Sequence, residues 1–239
     1  MAANTRERIM DTALACFIEH GYEQTTIVAI RERSGVSNGA LFHHFPTKES
    51  IAEALYVEAL GSFQEGLWRL IRRRPRSLRV AVRATIAHQL GWIEAHSDLA
   101  RFVYARGHLD WESPGAAAVQ SRNRELAAAF RHWLDPLVEA GEVRPASMLV
   151  ITAIVCGPAH AIAQRWLAGQ LERAPSEYVG ELSLAAWAGL RGTPAPAARA
   201  GRRAPTRGRV TLELISGEGR VLASGQASAE LQALGTGAL

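Results

Sequence analysis

An all-α fold is the class this sequence predicts, on three observations. Alanine and leucine are abundant, and strand-like alternation is nearly absent before Val210. Apolar residues recur at helical spacing, as in Ile9, Ala13 and Phe17 beside Met10, Leu14 and Ile18. Start and stop signals such as Ser34-Gly35, Pro46-Thr47 and Ser113-Pro114 divide these stripes into segments of helical length. At 239 residues the chain can hold one large domain or two smaller ones. Its two cysteines, Cys16 and Cys156, lie far apart, which excludes a disulfide framework and fits a reducing cytosol. The opening MAANTRERIM is polar and lacks the apolar core of a signal peptide, so the expected location is cytoplasmic.

The first helix carries the Ile9–Ile18 stripe and ends near His20-Gly21, with Asn4 and Glu7 spaced as a capping box. Two short helices follow. Thr26 caps the first, Ile27, Ile30 and Val36 supply its apolar contacts, and Ser34-Gly35 ends it. Ser37 caps the second, Asn38 to His44, with Leu41 and Phe45 turned inward. Thr47 then caps a long helix that starts at Lys48 and runs toward Arg74, where Pro75 breaks it. Two short helices about a dozen residues apart have the spacing of a helix-turn-helix.

The outward face of the second short helix carries Asn38, Gly39, Phe42, His43 and His44, and suits a nucleic acid. Asparagine can pair bidentately with adenine, histidine and the phenylalanine edge can reach bases or phosphates, and Gly39 lets backbone approach closely. Lys48 and the first N–H groups of its helix are placed for phosphate. The alternative is a helical hairpin whose histidines are merely solvated. Residues 1–50 carry Arg6, Arg8, Arg31, Arg33 and Lys48 against Glu7, Asp11, Glu19, Glu23, Glu32 and Glu49, a net charge of −1 within a chain of formal charge +4. Binding would therefore rest on a few well-placed groups and on dimerisation rather than on bulk charge. Basicity gathers at Arg69–Arg83 and Arg199–Arg209, runs that read first as solvated surface.

From Thr5 to about Glu65 the chain resembles the DNA-binding domain of the TetR family of bacterial transcriptional regulators. The resemblance rests on Ala13, Phe17, Gly21-Tyr22, Thr25-Thr26, Ile30, Gly35-Val36-Ser37, Leu41, Phe42-His43-His44-Phe45, Lys48 and Leu55. Phe42 stands where the family usually has tyrosine, which removes a phosphate-contacting hydroxyl. The resemblance implies an N-terminal three-helix DNA-binding domain over residues 1–65 and a helical ligand-binding and dimerisation domain over 66–192. It also implies Thr26, Ser37, Asn38, Gly39, Phe42, His43, His44 and Lys48 as the DNA-contacting set, and a palindromic double-stranded operator as partner.

Further helices are expected from about Pro75 to His96, Ser97 to Arg106, Ser113 to Ala140 with a kink or break at Pro136, Ala146 to Gly169, and Ser176 to Arg191. The stretch from Pro145 to Gln164 carries no charge, yet Ser147, Thr152, His160 and Gln164 argue for a helix buried on most sides within protein and against a membrane span. The last two helices are apolar round most of their circumference, the surplus expected when a pair packs on its own core and on a second copy. Val150, Ile154, Ala161, Trp166, Leu184 and Trp187 are the expected homodimer contacts, and in the resembled family these helices form the dimer's four-helix bundle. Residues 193–239 read as a Pro-, Ala- and Arg-rich linker, expected to be disordered, and a tail with a weak hairpin over Val210–Ile215 and Arg220–Ala223.

No phosphate-cradling glycine loop, Cys-x-x-Cys pair or His-x-x-x-His pair is present, so no metal, cofactor or catalytic residue is assigned. Cys16 and His20, one helical turn apart, read as a core thiol and a helix-end histidine. All six tryptophans lie after residue 65, and His88, Trp92, Tyr104, Trp111, Asn123 and His132 are the candidates for a small-molecule pocket. The function expected is a repressor released from its operator by a small hydrophobic ligand. Alternatives are a ligand-independent architectural DNA-binding protein and a small all-α enzyme.

Overall fold

A computed structural model describes residues 2–106, 113–192, 206–215 and 221–231. The chain forms two compact units, Met1–Pro194 and Ala195–Leu239. The described part of the first contains nine α-helices: α1 Ala2–His20, α2 Ile27–Ser34, α3 Asn38–His44, α4 Lys48–Arg72, α5 Leu78–Ala95, α6 Ser97–Arg106, α7 Pro114–Glu139, α8 Met148–Leu167 and α9 Val179–Leu190.

Local chemistry sets most of these ends. Thr26, Ser37 and Thr47 each accept a hydrogen bond from the backbone N–H three residues on, and Thr47 and Ser50 close a reciprocal box. Each such cap is worth about 1 kcal/mol. Gly35 ends α2 with φ of 64°, a conformation that costs a side-chain-bearing residue and costs glycine little. Ser113 caps α7 with Pro114 in its first turn, as the sequence indicated.

Some boundaries differ from the expectation. α1 already begins at Ala2, so Asn4 lies inside the helix and cannot cap it. α5 begins at Leu78 under a Ser77 cap, not at Pro75. Pro136 does not break α7, which continues to Glu139; so close to the helix end, few turns remain to be disturbed. A 3-10 turn, Pro175–Tyr178, precedes α9 and supplies the start expected of that helix at Ser176.

Two apolar cores organise the first unit. Ile9, Ala13 and Phe17 of α1 meet Ile30, Leu41, Phe45, Ile51 and Leu55, and this core also takes in Phe102 of α6 and Ala116 of α7. Phe17 and Phe102 stack with ring centroids 5.5 Å apart. The second core gathers Leu78, Val82, Ile86 and Leu90 of α5 against Leu134, Ile151, Val155, Val179 and Leu190. Where α4 crosses α5, the His88 ring fills the space beside Gly66, and a Cβ on Gly66 would lie 1.9 Å from it.

Within one chain α8 is buried along a single face, Ile151, Val155, Ala159 and Ala163. This corrects the expectation of a helix covered on most sides. Its length and composition would by themselves allow a membrane crossing, and 22% of its most apolar window is buried inside the chain. Leu149, Val150 and Leu184 are exposed large apolar residues on α8 and α9.

In the second unit Thr206–Ile215 (β1) pairs antiparallel with Val221–Leu231 (β2), Thr206 opposite Leu231, with an irregularity between Leu214 and Ile215. The ladder extends the expected hairpin away from its turn, back to Thr206 and on to Leu231, while β2 starts at Val221, one residue later than expected. Of the linker expected over 193–209, residues 193–205 lie outside the described residues, and residues 206–209 belong to β1 instead of to an unstructured linker.

Candidate nucleic-acid interface and ligand cavity

At one end of the first unit, α2 and α3 stand on α1 and α4. Leu41, fully buried, and Phe45 pin the inner side of α3. That orientation leaves Asn38, Gly39, Phe42 and His43 exposed on the other side, with His44 half-buried between. Phe42 is 47% exposed, unusual for so large an apolar side chain. Gly39 has no internal need to be glycine: its φ is not positive, and a Cβ there would meet nothing within 4 Å. Its effect is to leave the backbone bare on the outer face. Thr26 and Ser37 are placed by their capping bonds.

Lys48 is held rather than free-swinging. Its Nζ donates to the Tyr22 carbonyl at 2.9 Å and sits 4.2 Å from the centre of the Tyr22 ring. One of its three N–H donors is thereby used, and the ammonium is fixed at the start of α4. The Tyr22 hydroxyl in turn donates to Glu49 at 3.1 Å. Arg33 forms a two-pronged pair with Glu19, one arm at 2.7 Å, which ties α2 to α1.

A cavity of about 450 Å³ lies in the second half of the unit, between α4, α5, α7 and α8. From α5, Leu78, Ala81, Val82, Thr85 and Gln89 face it at three- and four-residue intervals. Phe130, Trp133 and Leu134 of α7, Met148 and Ile151 of α8, and Leu190 of α9 also line it. Of the residues singled out as pocket candidates, Asn123 alone among the described ones reaches this cavity, where it accepts a 2.7 Å bond from Gln64 Nε2. His88 turns the other way, stacked on Phe63 and donating through Nε2 to the Phe63 carbonyl at 2.8 Å. Trp92 donates to Ser62 at 2.8 Å, Tyr104 stacks on His160 at 4.5 Å, and His132 is exposed. Trp111 lies outside the described residues.

Burial governs ionisation around the cavity. It pushes the Cys156 thiol up to about 11 and the Tyr104 hydroxyl up to about 12, the latter against an opposing pull from the Gln89 amide. Both are neutral at physiological pH. Burial also lowers His88, against its bond to Phe63, and lowers His160. A histidine depressed in the folded state takes up its proton more readily when unfolded. Stability is therefore full above about pH 6.5, the ordinary histidine value, and is lost as pH falls below it. The urea midpoint should hold between pH 8 and 7 and fall between pH 6.5 and 5.5, and His88→Gln with His160→Gln should flatten that fall.

Helices α4, α6 and α7 connect the two ends. α4 starts at Lys48 and lines the cavity with Phe63 and Leu67. α6 sends Phe102 into the first core and sets Tyr104 against His160 of α8. The Gly115 N–H at the start of α7 donates to Glu53 Oε1 of α4 at 2.8 Å. Sequence reasoning passed over Phe102, Glu53 and Gly66. Only Gly66, a glycine deep in a helical pattern, carried a signal.

Of the residues expected between two copies, Val150, Ala161 and Leu184 are exposed, and Ile154, Trp166 and Trp187 are half-buried. Trp187 lies under the guanidinium groups of Arg79 and Arg191, at 5.4 and 5.2 Å.

The profile described as bacterial regulatory proteins, tetR family, matches residues 9–55. The HTH-type transcriptional repressor Rv1474c of Mycobacterium tuberculosis is 30% identical over 139 residues, 54% of this chain and 70% of that protein. The HTH-type transcriptional repressor AcnR of Corynebacterium glutamicum is 48% identical over 55 residues, but the match spans 23% of this chain and only 29% of AcnR. Among solved structures, the transcriptional regulator FadR from Bacillus subtilis in complex with stearoyl-CoA superposes with a TM-score of 0.62 at 17% identity, over 77% of this chain and 98% of that one.

Proposed function

The chain belongs to the TetR family of bacterial regulatory proteins, and from that premise we propose that it is a cytoplasmic, homodimeric repressor that leaves a palindromic operator when a small apolar ligand fills its cavity. Residues 1–65 are assigned to DNA recognition and 66–192 to ligand binding and dimerisation. The observation that carries this reading is the outer face of α3, where Asn38, Phe42 and His43 stand exposed around a bare Gly39 on a helix pinned from beneath by Leu41. In a bacterial groove reader these side chains would meet base edges, while Lys48 would meet a phosphate.

Release follows from linkage. A ligand that binds one arrangement of the helices more tightly than another shifts the dimer toward it, and operator affinity changes by the same differential free energy, typically about 1–3 kcal/mol. The route is physical, since α4 and α7 touch the cavity at one end and the recognition core at the other. B. subtilis FadR is in complex with stearoyl-CoA, a fatty acyl thioester, and the cavity of this chain is predominantly apolar.

Selection of bound sequences from a pool of random duplexes tests the reading: a palindromic consensus is expected, and enrichment of no sequence would overturn it. On that consensus, Lys48→Ala should weaken all sequences about equally and lower the salt slope by about one. A changed base preference instead would remove Lys48 from the phosphate-contacting set. Gly39→Ala should fold as well as the parent or slightly better, since alanine is favoured over glycine by up to about 1 kcal/mol in a helix. It should nonetheless bind the consensus at least tenfold more weakly, read by fluorescence anisotropy beside a thermal melt.

A further inference from the structure

Helix α9 carries a stripe that its own chain leaves uncovered. Val179, Ser183, Ala186 and Leu190 are its buried side. On the opposite side Leu184 is exposed, and positions three, four and seven residues away in either direction share its face. Gly180 and Ala188, four residues to each side, are exposed as well. With so little side chain there, a second helix can approach to about 8 Å between axes.

Charge is divided between the two ends of this stripe. Near the start of α9 stand Glu177, in the 3-10 turn, and Glu181, both exposed. Arg173 reaches them at 3.5 and 3.9 Å, exposed contacts of little strength that leave acceptor capacity on both carboxylates. At the other end, Arg79 of α5 and Arg191 gather at the Trp187 ring. Two like charges share one indole there. Among the described residues, neither has a carboxylate within ion-pair distance.

A second copy answers both ends at once. A two-fold axis through Leu184 turns the stripe end for end, so each position after 184 meets the equally distant position before it. Trp187 with its two guanidinium groups then faces the partner's Glu181, Arg191 faces the partner's Glu177, and Ala188 faces the partner's Gly180. A parallel pairing would instead set arginine on arginine and glutamate on glutamate.

We propose that two copies join through α9 in antiparallel register centred on Leu184, and that the order of charge along the stripe selects a like chain over one that lacks it. The proposal rests on the homodimer of the reading above and names which residues meet, a point that reading leaves open.

Single cysteines in the full chain test the register, by oxidation with copper phenanthroline and non-reducing electrophoresis. The parent supplies the background from Cys16 and Cys156. A disulfide needs Cα atoms within about 7 Å. Leu184→Cys, on the axis, should cross-link at least tenfold faster than Ala188→Cys, whose two copies stand about 12 Å apart along the helices. Equal rates, or faster linkage at Ala188→Cys, would overturn the register. No linkage at either site in a protein that light scattering shows to be dimeric would move the interface off α9 and leave the homodimer standing. A monomeric parent would defeat both.

Charge order is tested by exchange between two differently tagged chains. Arg79→Glu with Arg191→Glu on one, and Glu177→Arg with Glu181→Arg on the other, should each weaken self-association at least tenfold. Mixed, the two should pair with each other in preference to themselves, because both ends of the interface again join unlike charges. Salt at about 1 M should erase that preference. Random pairing at low salt, or a preference that salt leaves untouched, would overturn the charge selection. Should circular dichroism show either chain unfolded, Arg191→Gln and Glu181→Gln read the same effect. Each should weaken the parent dimer severalfold at low salt, and no change in either would overturn the selection.

Discussion

Placing arginine at Leu184 should convert the protein from dimer to monomer without unfolding it. Leu184 is 56% exposed on α9, so within one chain the new guanidinium reaches water and costs little. Across a two-fold interface the same position is met twice, and each unpaired buried charge costs about 3–5 kcal/mol. A combined loss of about 6 kcal/mol or more weakens dimerisation by some four powers of ten. Light scattering at micromolar concentration should show a monomer, with helical circular dichroism kept and operator binding lost. Ile154→Arg should act the same way, less cleanly, because Ile154 also lies 3.6 Å from the Cβ position of Gly189 on α9. An unaltered dimer for both variants would move the interface elsewhere.

The second large effect is expected inside the fold, at Gly66. An added methyl would meet the His88 ring at 1.9 Å, and that ring is fixed by its stack on Phe63 and its bond to the Phe63 carbonyl. Overpacking of this kind costs about 1–3 kcal/mol, more than the helix propensity alanine would return. Gly66→Ala should therefore lower the melting temperature by roughly 5 °C at fixed protein concentration. In a His88→Ala background the same change should be neutral or stabilising. A double-mutant cycle with no coupling between the two positions would mean that the α4–α5 crossing relaxes at little cost.

How much of this was legible in the sequence follows from how local each signal is. Thr26, Ser37 and Thr47 cap the helices they precede because a cap is decided by a few adjacent residues. The inward pair Leu41 and Phe45 was equally readable, since one short helix has one apolar side. The cavity wall was harder. Leu78, Ala81, Val82, Thr85 and Gln89 form a visible stripe, but a stripe looks the same whether it faces a void or a filled core. Residue type misled as well. His88 and Gln89 are neighbours, yet the turn of about 100° between them sends the imidazole toward Gly66 and the amide toward the cavity. Phe102 carried no mark of its partner, because Phe17 lies 85 positions earlier in the chain and nothing in one sequence links the two.

That stacked pair limits how the molecule can be engineered. The recognition helices rest on a hydrophobic centre closed by Phe102 and Ala116, which arrive long after the helix-turn-helix has been read out. A cassette cut after residue 65 and transplanted onto a relative would leave Phe17 facing whatever that host supplies, with no phenylalanine selected to stack on it. On the assignment of DNA reading to α3 proposed above, retargeting to a new DNA sequence is therefore better done by exchanging its exposed side chains one at a time, on a scaffold kept whole.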